Sequence, residues 1–291
     1  MSRMPVRGRL TAVLSLAAFA VVGAEVLLKT QDQALADPPD AAAPVEIGGH
    51  YTISFNGFGI GEVRTETRVA GKSYVASSDV EISALLGAFH WKGVTRAAGT
   101  LSGEQVRPSG YNFEYSGSAK SGSVRMGFGD GQVTQLAALP AGEAVPDDFV
   151  PLVPAHLKNV VDPLSALVAL SRPTAKGPCG KTFALFDGKQ RFDAGLVMRR
   201  REMLSSSQTG ETFEGVVCRV KYTPIGGFRN NAETAALAEN AGIEVTFRPV
   251  PQAGLWVPYR VALPTVAGQV AIEATRIDIS ASGGAQIALV D

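Results

Sequence analysis

Three histidines and two cysteines are the only imidazole and thiol groups of this 291-residue chain. His50, His90 and His156 stand far apart and no Cys-x-x-Cys occurs, so no ligand set has zinc-site spacing. The one Ser/Gly cluster, Ser116 to Gly122, lacks the Gly-x-Ser-x-Gly nucleophile elbow and the Ser-x-x-Lys spacing of penicillin-binding enzymes, and reads as a hairpin loop. Gly57-Phe58-Gly59-Ile60-Gly61 has the wrong spacing for a dinucleotide loop, and the residues after it alternate like a strand. An excess of either charge is missing too. Lysine plus arginine equals aspartate plus glutamate at 27 each, which gives no electrostatic reason to expect nucleic acid or anionic headgroups as partners. The expectation is a protein without catalytic residues, metal or cofactor.

Long apolar runs are confined to the N-terminus. Arg3, Arg7 and Arg9 precede an uncharged stretch from Leu10 to Ala24, which Glu25 ends short of the roughly 20 residues a spanning helix needs. Two small-x-small sites follow, Val22-Gly23-Ala24 and Ala34-Leu35-Ala36. This is the tripartite pattern of a secretory signal peptide, here residues 1–36, with either site open to cleavage. Neither site is followed by cysteine, which argues against a lipid anchor. The expected location is the periplasm, with no membrane span after cleavage. Cutting after Ala36 removes four basic and two acidic residues and leaves 255 residues with a net charge of −2. That length accommodates one large core or two smaller ones, and the expected state is a monomer.

In an exported chain an even pair of cysteines reads first as a disulfide, and Cys179 with Cys218 is the only pairing available.

Residues 37–47 are expected to form a flexible Pro/Ala tether, and a single β-rich domain is expected over 48–291. Val63, Thr65, Thr67 and Val69 face one way while Arg64, Glu66 and Arg68 face the other. The same period of two runs through Tyr111, Phe113 and Tyr115, through Val216 to Tyr222, through Ile243 to Phe247, and through Val270 to Ala274. Turn signals separate these runs, among them Asp130-Gly131 and Asp187-Gly188, where Asp-Gly predicts a two-residue type I′ hairpin. The pattern predicts a mainly β fold, an antiparallel meander forming an open or spiral barrel, with one or two short helices. The first helix starts at Asp162 as N-cap and Pro163 in the first turn, and is apolar enough to plug a barrel or pack in a sheet's concave face. The second spans Ala232 to Ala241, with Asn231 before it and Gly242 after it.

Four segments, read together and in order, resemble a bacterial family filed as domain of unknown function 3108: Asp162 to Leu167, Phe186 to Asp193, Cys218 to Tyr222, and Pro258-Tyr259-Arg260. The resemblance covers roughly Gly48 to Ile279. It implies a periplasmic protein with no activity to carry over. It also implies a shape similar to the open or spiral β-barrels of lipoprotein carriers and envelope-integrity proteins, a curved sheet around an apolar interior.

Candidate binding residues are Arg229, Asn230 and Asn231, which follow the flexible Gly226-Gly227 and could fold over a barrel mouth, and Trp91, beside His90 at an aromatic edge. Each has a plainer reading, a helix-entry loop and a packed rim. The function expected is non-enzymatic: binding of a lipid or other apolar ligand, or of an envelope protein, in cell-envelope maintenance. The alternative is a hydrolase or lyase of envelope polymers with Asp187 and Asp193 as acid and base, although these carboxylates also fit a solvated hairpin tip.

Overall fold

The structure, a computed structural model, describes residues 44–291 except 85–86, 104, 141–145, 173–176, 240–241, 266 and 281–285. The signal-peptide reading therefore lies outside the described residues, as does the tether up to residue 43.

Seven strands form a continuous antiparallel meander: β1 (Val45–Phe55), β2 (Phe58–Ala70), β3 (Ser73–Ala84), β4 (Phe89–Ser102), β5 (Gln105–Gly117), β6 (Gly122–Gly129) and β7 (Gln132–Leu139). The second half contains β9 (Thr182–Phe186), β10 (Arg191–Ser205), β11 (Thr212–Gly226), β13 (Glu244–Val250), β14 (Leu255–Thr265), β15 (Gly268–Ser280) and β16 (Gln286–Val290). Pairing of β1 with β15 joins the halves into one 14-stranded sheet whose path ends at β7 and β9, with β16 added on β15. It curls but does not close. The strand β1 starts at Val45, inside the segment expected to be tether, because Ile47 packs into the core of the second half beside Ile279 and Tyr259.

Between the halves run the short strand β8 (Phe149–Val150), a 3-10 turn over Pro154–Leu157 and the helix α1 (Pro163–Leu170). The strand β8 pairs with β12 (Phe228–Arg229) in a separate two-stranded ladder, and α2 (Ala232–Glu239) follows. The open seam of the large sheet is spanned by residues 158–161. Asn159 N–H donates to Gly131 O (2.6 Å) beside β7, and Val161 N–H donates to Ala184 O (2.9 Å) on β9.

This strap delivers α1 into the concave face of the first half. Leu164 and Val168 are buried against Tyr74, Ala76, Ala97, Tyr111 and Met126 of β3 to β6, and Phe186 of β9 completes the cluster. Burying each such side chain contributes about 1.5–3 kcal/mol. Asp162 caps the helix, accepting from Ser165 N–H (2.8 Å), as its place before Pro163 predicts. Ser165 Oγ donates its proton to the other carboxylate oxygen, which leaves Tyr74 OH to donate to Ser165 Oγ (2.6 Å). All three side chains are buried, and desolvation pushes the Asp162 carboxyl above the usual aspartate range against the pull of the Ser165 hydrogen bonds.

Cys179 and Cys218 form a disulfide with Cα atoms 5.6 Å apart, tying the approach to β9 to the centre of β11. It closes a loop spanning 39 residues, worth about 4 kcal/mol in the chain-entropy view. Asp130 and Gly131 both take positive φ, the hairpin their sequence predicts. Asp187-Gly188 departs from its prediction. Among these two only Gly188 has positive φ, and Asp187 Oδ1 accepts from Lys189 N–H (2.8 Å) and Gln190 N–H (2.6 Å). The connection is a four-residue side-chain-capped turn.

Candidate binding groove

The faces of β1 to β6 follow from the period of two. Tyr74, Ala76, Ala97, Tyr111 and Met126 point to α1, so Val75, Ser77, Arg96, Ala98, Asn112 and Arg125 stand on the opposite, outer face. A groove of about 940 Å³ runs across that outer face from β15 to β6. Its floor is low because small residues recur where the strands are in register. Gly48 opposes Glu66 and Asp278, Val75 opposes Ala98, and Ala98 opposes Gly110. A Cβ built on Gly48 or Gly110 meets nothing closer than about 4 Å, so both glycines face open space.

Charge is distributed along the groove by strand. One cross-strand row reads Arg125, Asn112, Arg96, Ser77, Glu66, Gly48, Asp278 from β6 to β15. The β4–β6 end is basic and the β2–β15 end acidic. At an interstrand spacing of about 4.8 Å this row spans about 29 Å. Several of these groups are already compensated. Arg125 Nη2 pairs with Glu114 (3.2 Å), Asp278 with Arg276 (2.6 Å), and Arg68 with Glu46 (3.5 Å). A hydrogen bond from Asn112 Nδ2 (3.3 Å), with a second from Arg125, holds the Glu114 carboxyl below its usual range. Asn112 Oδ1 is buried beneath the surface with no hydrogen-bond partner.

The residues marked from sequence take other places. Arg229 Nε donates to both oxygens of Asp148 (3.0 and 3.2 Å), and Asn230 N–H donates to Asp148 O (2.7 Å), stitching β12 to the approach to β8. Asn231 Oδ1 accepts from Thr234 N–H (3.0 Å) and caps α2. Trp91 stacks with Tyr115 (6.4 Å between ring centres) and lies 6.3 Å from Phe113 on the inner face. No hydrogen bond or ring contact joins Trp91 to the Arg229 loop among the described residues, and none of the four lines the groove. Asp193 pairs with Arg191 (2.7 Å) and Asp187 is occupied with its own turn. Among the described residues no cluster of three or more His, Cys, Asp or Glu could hold a metal ion, and no helix is long and apolar enough to cross a membrane.

Arg96, Asn112 and Glu66 carried no motif. Their only signal was an outward position on an alternating strand, and their alignment depends on the register of three hairpins.

No curated protein matches the chain. Among solved structures it is similar to a β-barrel-like protein of domain of unknown function DUF1849 from Brucella abortus, with 11% identity and a TM-score of 0.48 over 81% of this chain and 97% of that one. The family described as "Protein of unknown function (DUF3108)" matches residues 50–275, and the chain belongs to it.

Proposed function

We propose that the protein works outside the cytosol, in the bacterial periplasm, as a non-enzymatic binding protein of the cell envelope, and that its ligand sits in the outer groove of β1 to β6. The observation that carries this reading is the groove itself: about 940 Å³ of concave surface with a small-residue floor and polar groups converging on it. The signal-peptide pattern and the Cys179–Cys218 disulfide support export, because disulfides persist in oxidising compartments. The interior favoured for a lipid from sequence is a poorer seat than the groove, since α1 occupies the concave face of β3 to β6. Charged side chains set along a largely apolar lining suit a ligand with charged ends.

The test is native mass spectrometry of the protein incubated with the low-mass fraction of a periplasmic extract, beside a Gly110→Trp variant. The glycine faces open space and has no positive φ, so the indole would fill the groove with little strain. The expected result is a mass adduct on the natural protein that the tryptophan variant lacks. No adduct on either, or one retained by Gly110→Trp, overturns the reading.

A further inference from the structure

Two charges in the groove stand out for lack of a direct partner, although Arg96 is near enough to help lower the Glu114 carboxyl. Among the described residues Arg96 and Glu66 make no ion pair or hydrogen bond, although every other charged residue of their cross-strand row is paired. Both are exposed, and they lie on one row with only the small Ser77 between them. Two strand spacings separate them, about 10 Å between Cα atoms. Asn112, next to Arg96 on β5, turns its amide protons toward Glu114 and keeps Oδ1 buried, out of a ligand's reach. Its amide orientation is set by the Glu114 carboxylate, which accepts from Nδ2.

These unmet needs have one chemistry in common. Arg96 calls for an anionic acceptor and Glu66 for a cation. A short peptide with free ends supplies both. An extended tripeptide places its ammonium and carboxylate about 10 Å apart, at roughly 3.3 Å per residue. The low floor of Ser77, Ala98 and Gly110 lets such a chain lie close to the sheet, and the remaining groove volume leaves room for its side chains. A polyanion or a polycation would meet repulsion at one end of the row, so the pattern selects a zwitterion.

We infer that the outer groove binds short zwitterionic peptides across the strands, with the carboxylate at Arg96 and the ammonium at Glu66. This rests on the groove being the ligand seat proposed above.

Calorimetric titration with trialanine tests it. The comparison peptides are trialanine amide, which lacks the carboxylate, and N-acetyl-trialanine, which lacks the ammonium. The natural protein should bind trialanine and discriminate against each capped form by about fivefold, the upper end for an exposed ion pair. Arg96→Gln should abolish discrimination against the amide while keeping discrimination against the acetylated form, and Glu66→Gln should do the reverse. Both sites are exposed strand positions, and thermal denaturation should show both variants folded. Equal affinity for free and capped peptides, no binding of trialanine, or discrimination that survives both substitutions overturns the inference. Trialanine failing while a Gly110→Trp-sensitive adduct persists in the extract experiment would remove the peptide and leave the groove. Loss of that adduct difference as well would remove both.

Discussion

Tyr74 and Ala76 face α1, while Val75 and Ser77, one peptide bond away, face the groove. The two faces of β3 to β6 are built by opposite rules. On the inner face large side chains interlock, and the buried polar atoms of Tyr74, Ser165 and Asp162 satisfy one another. On the outer face small residues leave space, and Arg96 and Glu66 make no ion pair or hydrogen bond among the described residues. A closed hydrogen-bond circuit specifies packing. Open valences on a rigid sheet point to something that arrives from outside. The difference teaches that a curled sheet with an apolar lining need not carry its ligand inside, because one short helix can use up the interior.

The comparison breaks most severely at α1. Leu164→Ala should cost about 3 kcal/mol in chemical denaturation, since its side chain is buried in the inner cluster and little can collapse into its place. A cost below about 1 kcal/mol would mean that the interior is not sealed.

The second effect is a pH dependence. Burial raises the Asp162 carboxyl in the folded state, so the folded protein holds that proton more tightly than the unfolded chain. The contribution is fully present below the ordinary aspartate range and is lost as pH rises from there through the folded-state value. Asp162→Asn should flatten that part of the stability profile, and identical slopes in the two proteins would contradict the assignment.

Tyr74→Phe is the third and smaller test. It removes one donor from the circuit, and the loss should be about 1 kcal/mol. The smallest effect belongs to the outer face. Val75 is 55% exposed, and Val75→Ala should change stability by no more than about 0.5 kcal/mol. A loss comparable with that of Leu164→Ala would erase the distinction between the faces.

The features legible in the sequence were those with local causes. Asp162 followed by Pro163 is a helix start whatever surrounds it, and the cap forms. Asp130-Gly131 turns as predicted because both residues reach positive φ. Asp187-Gly188 has the same dipeptide but a longer turn, since the Asp187 side chain captures two backbone N–H groups. The loop of Arg229 to Asn231 looked available beside its glycines, yet Asp148, 81 residues earlier in sequence, takes the arginine. The groove was the least legible feature. Arg64, Glu66 and Arg68 could be placed on one face from alternation alone. That Glu66 lies in line with Arg96 and Asn112 depends on strand register, which no single segment encodes.

The most direct test uses methyl NMR, because neighbouring residues report on opposite faces. With alanine and valine methyl groups labelled and trialanine added, Val75 and Ala98 should shift with saturation while Ala76, Ala97 and Val168 stay still. Shifts confined to Ala76, Ala97 and Val168 would place the ligand inside the sheet beside α1, and would contradict the account.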